Sequence, residues 1–405
     1  MTSGDRWRLY ACAFLRATAT GLVGVGIGLH LGSRGLPAAE IGAVVSAGLL
    51  GNALALLLVT RRGDRRGRRA LLACFAVLSA AGAWLASTDA TGPLLLAGAC
   101  LGLLNGMGRD RGGSLAIEQS ILPSTVDDAG RTRVFAWYNV WQDAGHALGS
   151  LLAALPALHV AEETSRGGQP APLLLAAALF LATGGLALRL GAHVEPARAH
   201  VRASVTPATR RLVARISALF LLDSLGGGFL TTALVSYFFF ERFGAGATEI
   251  GALFFGARVL NAVSHLGAAW LAKRFGLVNT MVFTHMPSSL LLVSAAYAPS
   301  FPIAAVFFLL REGLVEMDVP TRQSYVVAVV APGERAFASG VTQLVRMAAW
   351  SVAPWIGGLL MDDVSLAAPL VVGAALKIAY DIALYLAFRG IRPPEERDGI
   401  RTTGK

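Results

Sequence analysis

Residues 60–69 read Thr60-Arg61-Arg62-Gly63-Asp64-Arg65-Arg66-Gly67-Arg68-Arg69, six arginines and one aspartate between two apolar runs. The run before it spans 39–59 and the run after it 69–88. Each approaches the roughly 20 residues that a helix needs to cross a bilayer. A short loop this cationic, set between two crossing helices, belongs on the cytoplasmic side of a membrane.

The rest of the chain repeats that pattern. Of 405 residues, 55% are hydrophobic and 15% charged, and the mean hydropathy is +0.59. Soluble domains average about 45–50% apolar and about 25% charged residues. This composition excludes a soluble enzyme, a disordered chain and a nucleic-acid-binding module. Twelve spans are predicted near 8–32, 39–59, 69–88, 93–122, 133–156, 171–190, 212–240, 247–271, 277–297, 301–330, 335–360 and 365–389. The first is longer than the apolar region of about 7–15 residues in a signal peptide, so it reads as a retained helix. With the N-terminus placed in the cytoplasm, 24 of the 35 Lys and Arg residues fall in cytoplasmic segments. Only Arg34, Arg166 and Arg242 fall in outer loops. That bias places both termini in the cytoplasm. It also explains the net charge of +10 without nucleic acid. Cys12, Cys74 and Cys100 lie singly inside apolar runs, which gives neither a disulfide framework nor a thiolate metal site.

The two halves of the chain are related. Glu40-Ile41-Gly42-Ala43 recurs 209 residues later as Glu249-Ile250-Gly251-Ala252. At the same offset Asn52 meets Asn261, Gly67 meets Gly276 and Pro123 meets Pro332. Arg133-x-Phe135-Ala136 recurs as Arg335-x-Phe337-Ala338 at offset 202. Matches in this order predict a duplicated six-helix unit: a first half over 1–190, a linker over 191–211, a second half over 212–389 and a cytoplasmic tail over 390–405. The fold class is therefore all-α and integral to the membrane. Paired six-helix repeats around a midplane site are a known transporter design.

The Asp-Arg-x-Gly-Arg-Arg core of residues 64–69 resembles the loop 2–3 motif of the major facilitator superfamily, and the resemblance extends over about the whole chain. The family usually has Gly where this chain has Thr60. In the second half the echo, Lys273-Arg274-Phe275-Gly276, has lysine in the acid's place. The resemblance implies two six-helix bundles that rock around a central cavity. It makes Asp64, Arg65, Gly67 and Arg68 a conformational latch. An aspartate at a helix end accepts hydrogen bonds from the N–H groups of a facing helix, whose N-terminus is electropositive. The alternative for the arginines is a purely topological role.

Ionisable groups inside spans cost about 2.5–3.5 kcal/mol each on insertion scales, so they pair, face a cavity or perform a function. Helix 4 carries Gly108-Arg109-Asp110-Arg111-Gly112-Gly113, with Glu118 beyond. Arg109 followed by Gly113 resembles the Arg-x-x-x-Gly element of proton-coupled drug antiporters in the superfamily. As a continuous helix this stretch puts Arg111 and Glu118 on one face. Helix 10 carries Arg311, Glu312, Glu316, Asp318, Pro320 and Arg322. Arg16 on helix 1 and Asp223 on helix 7 fall at nearly corresponding places, and in the superfamily these helices face each other. That suggests a pair through which a proton and a substrate compete, or else a permanent bridge. Helix 5 offers Tyr138, Gln142, Asp143 and His146, the last two at a spacing that permits pairing. Gln343 and Arg346 lie on helix 11. Lys377 and Asp381, four apart on helix 12, are predicted to pair. The substrate and proton pathway is therefore sought among Arg16, Arg109, Arg111, Glu118, Gln142, Asp143, His146, Asp223, Glu316, Arg322, Gln343 and Arg346. Gly24-x-Gly26-x-Gly28 sits mid-helix with no strand before it, so close packing is expected there, not dinucleotide binding.

Together these readings point to a secondary transporter in the inner (plasma) membrane that acts as a monomer without cofactor or metal. It moves a small organic molecule, with protons as the coupling ion. Efflux comes first because of Arg109 and the loop motif. Helix 5 lacks the Gly-Pro then Gly-Gly string of many drug antiporters; a similar string, Ala353-Pro354-Trp355-Ile356-Gly357-Gly358, lies on helix 11. Uptake of an organic anion or zwitterion is the alternative, and a non-transporting receptor on the same scaffold is the rival from another class. An enzyme is not expected. Asp64→Asn should lower transport while leaving expression and membrane insertion intact; wild-type flux in that variant would remove the latch role.

Overall fold

The structure is a computed structural model. It describes residues 3–62, 67–110, 112–125, 131–154, 169–195, 205–275, 277–317, 330–331 and 334–388. Asp64, Arg65, Arg111 and Arg322 lie outside the described residues. No strand occurs among those described. A chain in hydrocarbon must satisfy its backbone polar groups within each segment, and an α-helix does so. The helices of the first half are α1 (Ser3–Ser33), α2 (Ala38–Arg62), α3 (Arg68–Ala86), α4 (Gly92–Leu101), α5 (Gly113–Ile121), α6 (Arg131–Leu152) and α7 (Ala171–Leu188). Those that follow are α8 (Pro207–Gly228), α9 (Thr232–Phe243), α10 (Ala247–Phe275), α11 (Leu277–Ala296), α12 (Phe301–Val315), α13 (Arg335–Trp350), α14 (Ala353–Asp363) and α15 (Ala368–Phe388). Seven apolar stretches among the described residues are long enough to cross a membrane, and they coincide with expected spans 1, 2, 3, 6, 7, 11 and 12. Large apolar side chains such as Trp84, Leu101, Phe283 and Leu290 are exposed, which suits lipid better than water.

Three expected spans are not continuous. The stretch 93–122 breaks between α4 and α5, where residues 102–110 and 112 are irregular. Gly108 and Gly112 take left-handed φ values of 66° and 101°, which glycine adopts without penalty, and Leu103 joins them at 50°. Expected span 7 breaks between α8 and α9. Expected span 11 breaks between α13 and α14, where Pro354 occupies the first turn of the new helix and needs no N–H partner there.

Compact packing divides the chain into two units. One comprises residues 1–200, 228–258 and 350–369, the other 201–227, 259–349 and 370–405. In the first unit, small residues bring backbones together. A Cβ on Gly149 of α6 would lie 2.1 Å from the Thr18 carbonyl oxygen of α1. On Gly28 of α1 it would lie 2.1 Å from the Ala233 carbonyl oxygen of α9. Gly24 lies against Gly108, so the glycine triplet serves close packing, as expected. Gly42 of α2 abuts the Pro354 carbonyl of α14, and Gly251 of α10 abuts the Ser150 carbonyl of α6. The repeated tetrapeptide thus supplies a close helix contact in both places. The α2–α14 seam is pinned by polar contacts. Asp362 accepts the Ala38 and Ala39 N–H groups at 3.1 and 2.8 Å, and Ser46 accepts the Trp355 N–H at 2.9 Å. The carboxylate meets the electropositive start of α2.

Two other acids hold helix starts. The Glu195 carboxylate accepts the Arg68 and Arg69 N–H groups at the start of α3, just after Gly67 (φ 74°). In the second unit, Glu334 accepts the Thr206 N–H and the Thr209 hydroxyl at the start of α8. Those bonds hold the Glu334 carboxyl below its usual range. This clip therefore contributes stability above the ordinary carboxylate pKa and loses it as pH falls through the lowered value. The core of the second unit gathers Val213, Ile216, Phe220, Met281, Tyr380 and Leu384.

Gly149→Val forces atoms into the α1–α6 contact, a class of change that costs about 1–3 kcal/mol. The variant should unfold at a lower temperature than wild type in detergent. An unchanged Tm would show that this backbone contact is not tight.

Candidate functional site

The first unit buries a charge cluster on α1, α5, α6 and the irregular segment 102–110. Arg16 is 8% exposed, Asp110 8% and Glu118 0%. The Arg16 guanidinium is held on two sides. Its Nε donates to Asp110 Oδ2 at 3.1 Å, and its two Nη groups donate to the two Glu118 oxygens. Tyr138 OH donates to Glu118 Oε2 at 2.6 Å. Thr20 OH and Gln142 Nε2 donate to Asp110 at 2.8 and 3.1 Å. His146 Nε2 accepts the Asp110 backbone N–H at 3.0 Å, so in the neutral ring the proton lies on Nδ1. One guanidinium faces two carboxylates, so the group carries formal charge −1 unless a proton joins it. Ser79, Ser114 and Thr183 line a small cavity beside Arg16 and Glu118.

The second unit buries another chain of charges on α8, α11, α13 and α15. Lys377 donates to Asp223 Oδ1 at 3.2 Å, and its Nζ lies 3.1 Å from His285 Nε2. His285 Nδ1 faces both Asp381 oxygens at 3.0 and 3.1 Å. Arg346 donates to the Ser224 hydroxyl at 3.1 Å and lies 3.8 Å from Asp223 Oδ2. Elsewhere in this unit Asn261 donates to Glu312 Oε2 at 2.9 Å, and Arg311 pairs with Glu312.

These placements correct several expectations. Arg16 and Asp223 each spend their charge within their own unit, Arg16 on Asp110 and Glu118, Asp223 on Lys377 and Arg346. His146 turns to Asp110, because the break at 102–112 delivers that backbone N–H to the ring; Asp143 on the next turn is half-buried. Lys377 and Asp381 do not close on each other directly, because His285 is inserted between them. Arg109 lies on the irregular segment, so the helical spacing to Gly113 does not apply. Asn52 donates to the carbonyls of Gly48 on its own helix and Leu103 on the irregular segment. Glu316 and Gln343 are half-buried at the end of α12 and on α13. His285, Asp110 and Tyr138 enter the clusters without having been singled out as site residues. The only advance sign of the first was a histidine within an otherwise apolar span.

Among the described residues no group of three or more His, Cys, Asp or Glu side chains is placed to hold a metal ion. The clusters can take up or pass protons, and their cations can release or accept anionic partners. Removing one member of a buried ion pair costs about 3–5 kcal/mol because it strands the other charge. Glu118→Ala should therefore lower the Tm in detergent well below that of Glu118→Gln, which keeps hydrogen-bond acceptance. Equal melting of the two variants would contradict the Arg16–Glu118 pairing.

The sequence profile of the Major Facilitator Superfamily matches residues 9–310 and 216–404. An uncharacterized membrane protein of Saccharomyces cerevisiae is 23% identical over 429 residues, which cover 96% of this chain and 95% of that one. The nucleoside transporter NupG superposes with a TM-score of 0.75 at 16% identity, covering 95% of this chain and 99% of its own. A D-xylose–proton symporter does so at 0.70 and 12% identity, covering 94% and 96%. Twelve predicted spans, two related halves and the Asp-Arg-x-Gly-Arg-Arg loop agree with these matches, and the chain belongs to the Major Facilitator Superfamily.

Proposed function

We propose that this chain is a proton-coupled secondary transporter of a small organic molecule, working by alternating access and as a monomer. The observation that carries the proposal is the pair of buried charge clusters. Carboxylates lie against arginine and lysine at membrane depth, where only paired or functional charges persist. Protonating such a carboxylate frees its cation, so proton binding changes which contacts hold a bundle together. A ligand or proton that favours one set of contacts shifts the equilibrium between two states.

The arginine bias supports cytoplasmic termini and a plasma-membrane setting. In that orientation the seam where α1 meets α9 and α2 meets α14 lies at the outer face. The half boundaries 1–190 and 212–389, with the linker 191–211, remain our organisation of the two six-helix repeats. Asp64, Arg65, Gly67 and Arg68 remain the cytoplasmic latch. Arg109, Asp143, Glu316, Gln343 and the two positions Arg111 and Arg322 remain members of the pathway. We keep efflux, by exchange of substrate for protons, as the first direction, on the strength of the loop motif. The second reading is proton-driven uptake of an organic anion or zwitterion. It is favoured because Arg109 stands on an irregular segment, which removes one resemblance to antiporters.

The test is flux in proteoliposomes under an imposed pH gradient, with a panel of nucleosides, sugars, organic anions and hydrophobic cations. We expect movement of at least one compound that stops when the gradient is collapsed. Its direction relative to the gradient separates exchange from cotransport. Folded protein that moves none of them would support the receptor reading instead.

A further inference from the structure

With Lys377 charged, the hydrogen bond between Lys377 and His285 has one arrangement of protons that works. An ammonium is a donor without acceptor capacity. At 3.1 Å, His285 Nε2 must therefore accept from Lys377, and the ring proton must lie on Nδ1, facing Asp381. Lysine and histidine cannot both carry their extra proton in this geometry, since two donors would then oppose each other. All four groups are buried: Asp223 is 4% exposed, His285 1%, Lys377 7% and Asp381 1%. Polar neighbours of the chain include Arg346 at 3.8 Å and Ser224, both on the Asp223 side, and Tyr380, whose ring meets the imidazole edge-on at 6.2 Å between centroids.

We infer that Asp223, Lys377, His285 and Asp381 form a proton-loading relay, with Asp223 as the entry and Asp381 as the store. The inference rests on the proton-coupled reading above. A proton adds to an Asp223 oxygen and forms an O–H bond. One Lys377 N–H bond breaks as its proton passes to His285 Nε2, where a new N–H bond forms. The Nδ1–H bond breaks as that proton passes to Asp381, which becomes a neutral carboxylic acid. The Lys377 amine, now neutral, accepts the hydrogen bond from His285 Nε2–H, so a donor again meets an acceptor. The net change is one added proton: Asp223 and Asp381 are neutral carboxylic acids, Lys377 is a neutral amine, and the imidazole is neutral in its other tautomer. Unloading runs the same steps backwards. Nothing is oxidised or reduced, and no other reactant is needed. Loading therefore removes the charges of Asp223, Lys377 and Asp381 together.

The decisive variant is Lys377→Arg, because a guanidinium keeps the positive charge and its pairing but does not give up a proton. In proteoliposomes, using the panel compound that wild type moves, the variant should lose pH-driven accumulation by about tenfold or more while keeping compound exchange at equal pH. His285→Gln should behave the same way. Wild-type accumulation in both variants overturns the relay and leaves the proton-coupled reading standing. Absence of pH-driven flux in wild type itself overturns that reading. A second measurement needs no substrate and no variant of Lys377. In 15N-histidine-labelled protein, with the His285 signal identified by its loss in His285→Gln, the ring should be neutral throughout, with its proton on Nδ1 at alkaline pH and on Nε2 at acidic pH, where the relay is loaded. A doubly protonated ring, or one tautomer at every pH, overturns the relay.

Discussion

The Arg16 guanidinium, clasped between Asp110 and Glu118, expresses the constraint on which the rest of the structure depends. A charge taken out of water must find partners where it is buried. Arg16 finds them by joining three elements that are far apart in sequence: α1, the irregular segment 102–110 and α5. The segment must leave helical geometry for the Asp110 side chain and backbone to reach Arg16 and His146 together. Left-handed glycines at 108 and 112 make that path accessible. Asp223, Lys377, His285 and Asp381 obey the same rule in the second unit, with one added feature: a hydrogen bond whose proton can move.

Helix contacts within the first unit depend on backbone proximity more than on large side chains. Lipid tails are as apolar as leucine, so helices in a membrane associate through close packing and hydrogen bonds. Gly28, Gly42, Gly149 and Gly358 each meet a carbonyl of a neighbouring helix, and Asp362 caps the start of α2 beside two of those contacts. A seam made of short-range contacts and a few hydrogen bonds suits a contact that must form and break in each cycle. Glu195 and Glu334 place acids at the starts of α3 and α8 in the same manner, which makes helix-end capping a recurring fastening in this chain.

Much of the architecture was legible from local signals. Apolar run length predicted twelve spans, seven of which coincide with apolar helical stretches among the described residues, and the Glu-Ile-Gly-Ala repeat marked two corresponding positions. Its two glycines turn out to occupy close helix contacts. The discontinuities were harder to read, although Gly102, Gly106, Gly108 and Gly112 crowd one stretch of span 4. Hydropathy averages over a break, whereas the break is fixed by where neighbouring backbones lie. The charged residues were legible as types and not as pairs. Arg16 was found, but its partners stand 94 and 102 residues away. His285 escaped notice because its significance comes wholly from α15, 92 and 96 residues later. Glu195, Glu334 and Asp362 carried no mark in the sequence that separates a capping acid from a solvated one.

The central claim is that proton binding shifts an equilibrium between two packed arrangements, one of which has the α2–α14 seam closed. Spin labels at Leu36 and Ser365, beside that seam, allow the distance to be read by pulsed dipolar spectroscopy in bilayers across pH. The account predicts two distances, the shorter from the closed seam, with populations that change reversibly between mildly acidic and mildly alkaline conditions. A single short distance at every pH, in protein that retains its fold, would contradict it.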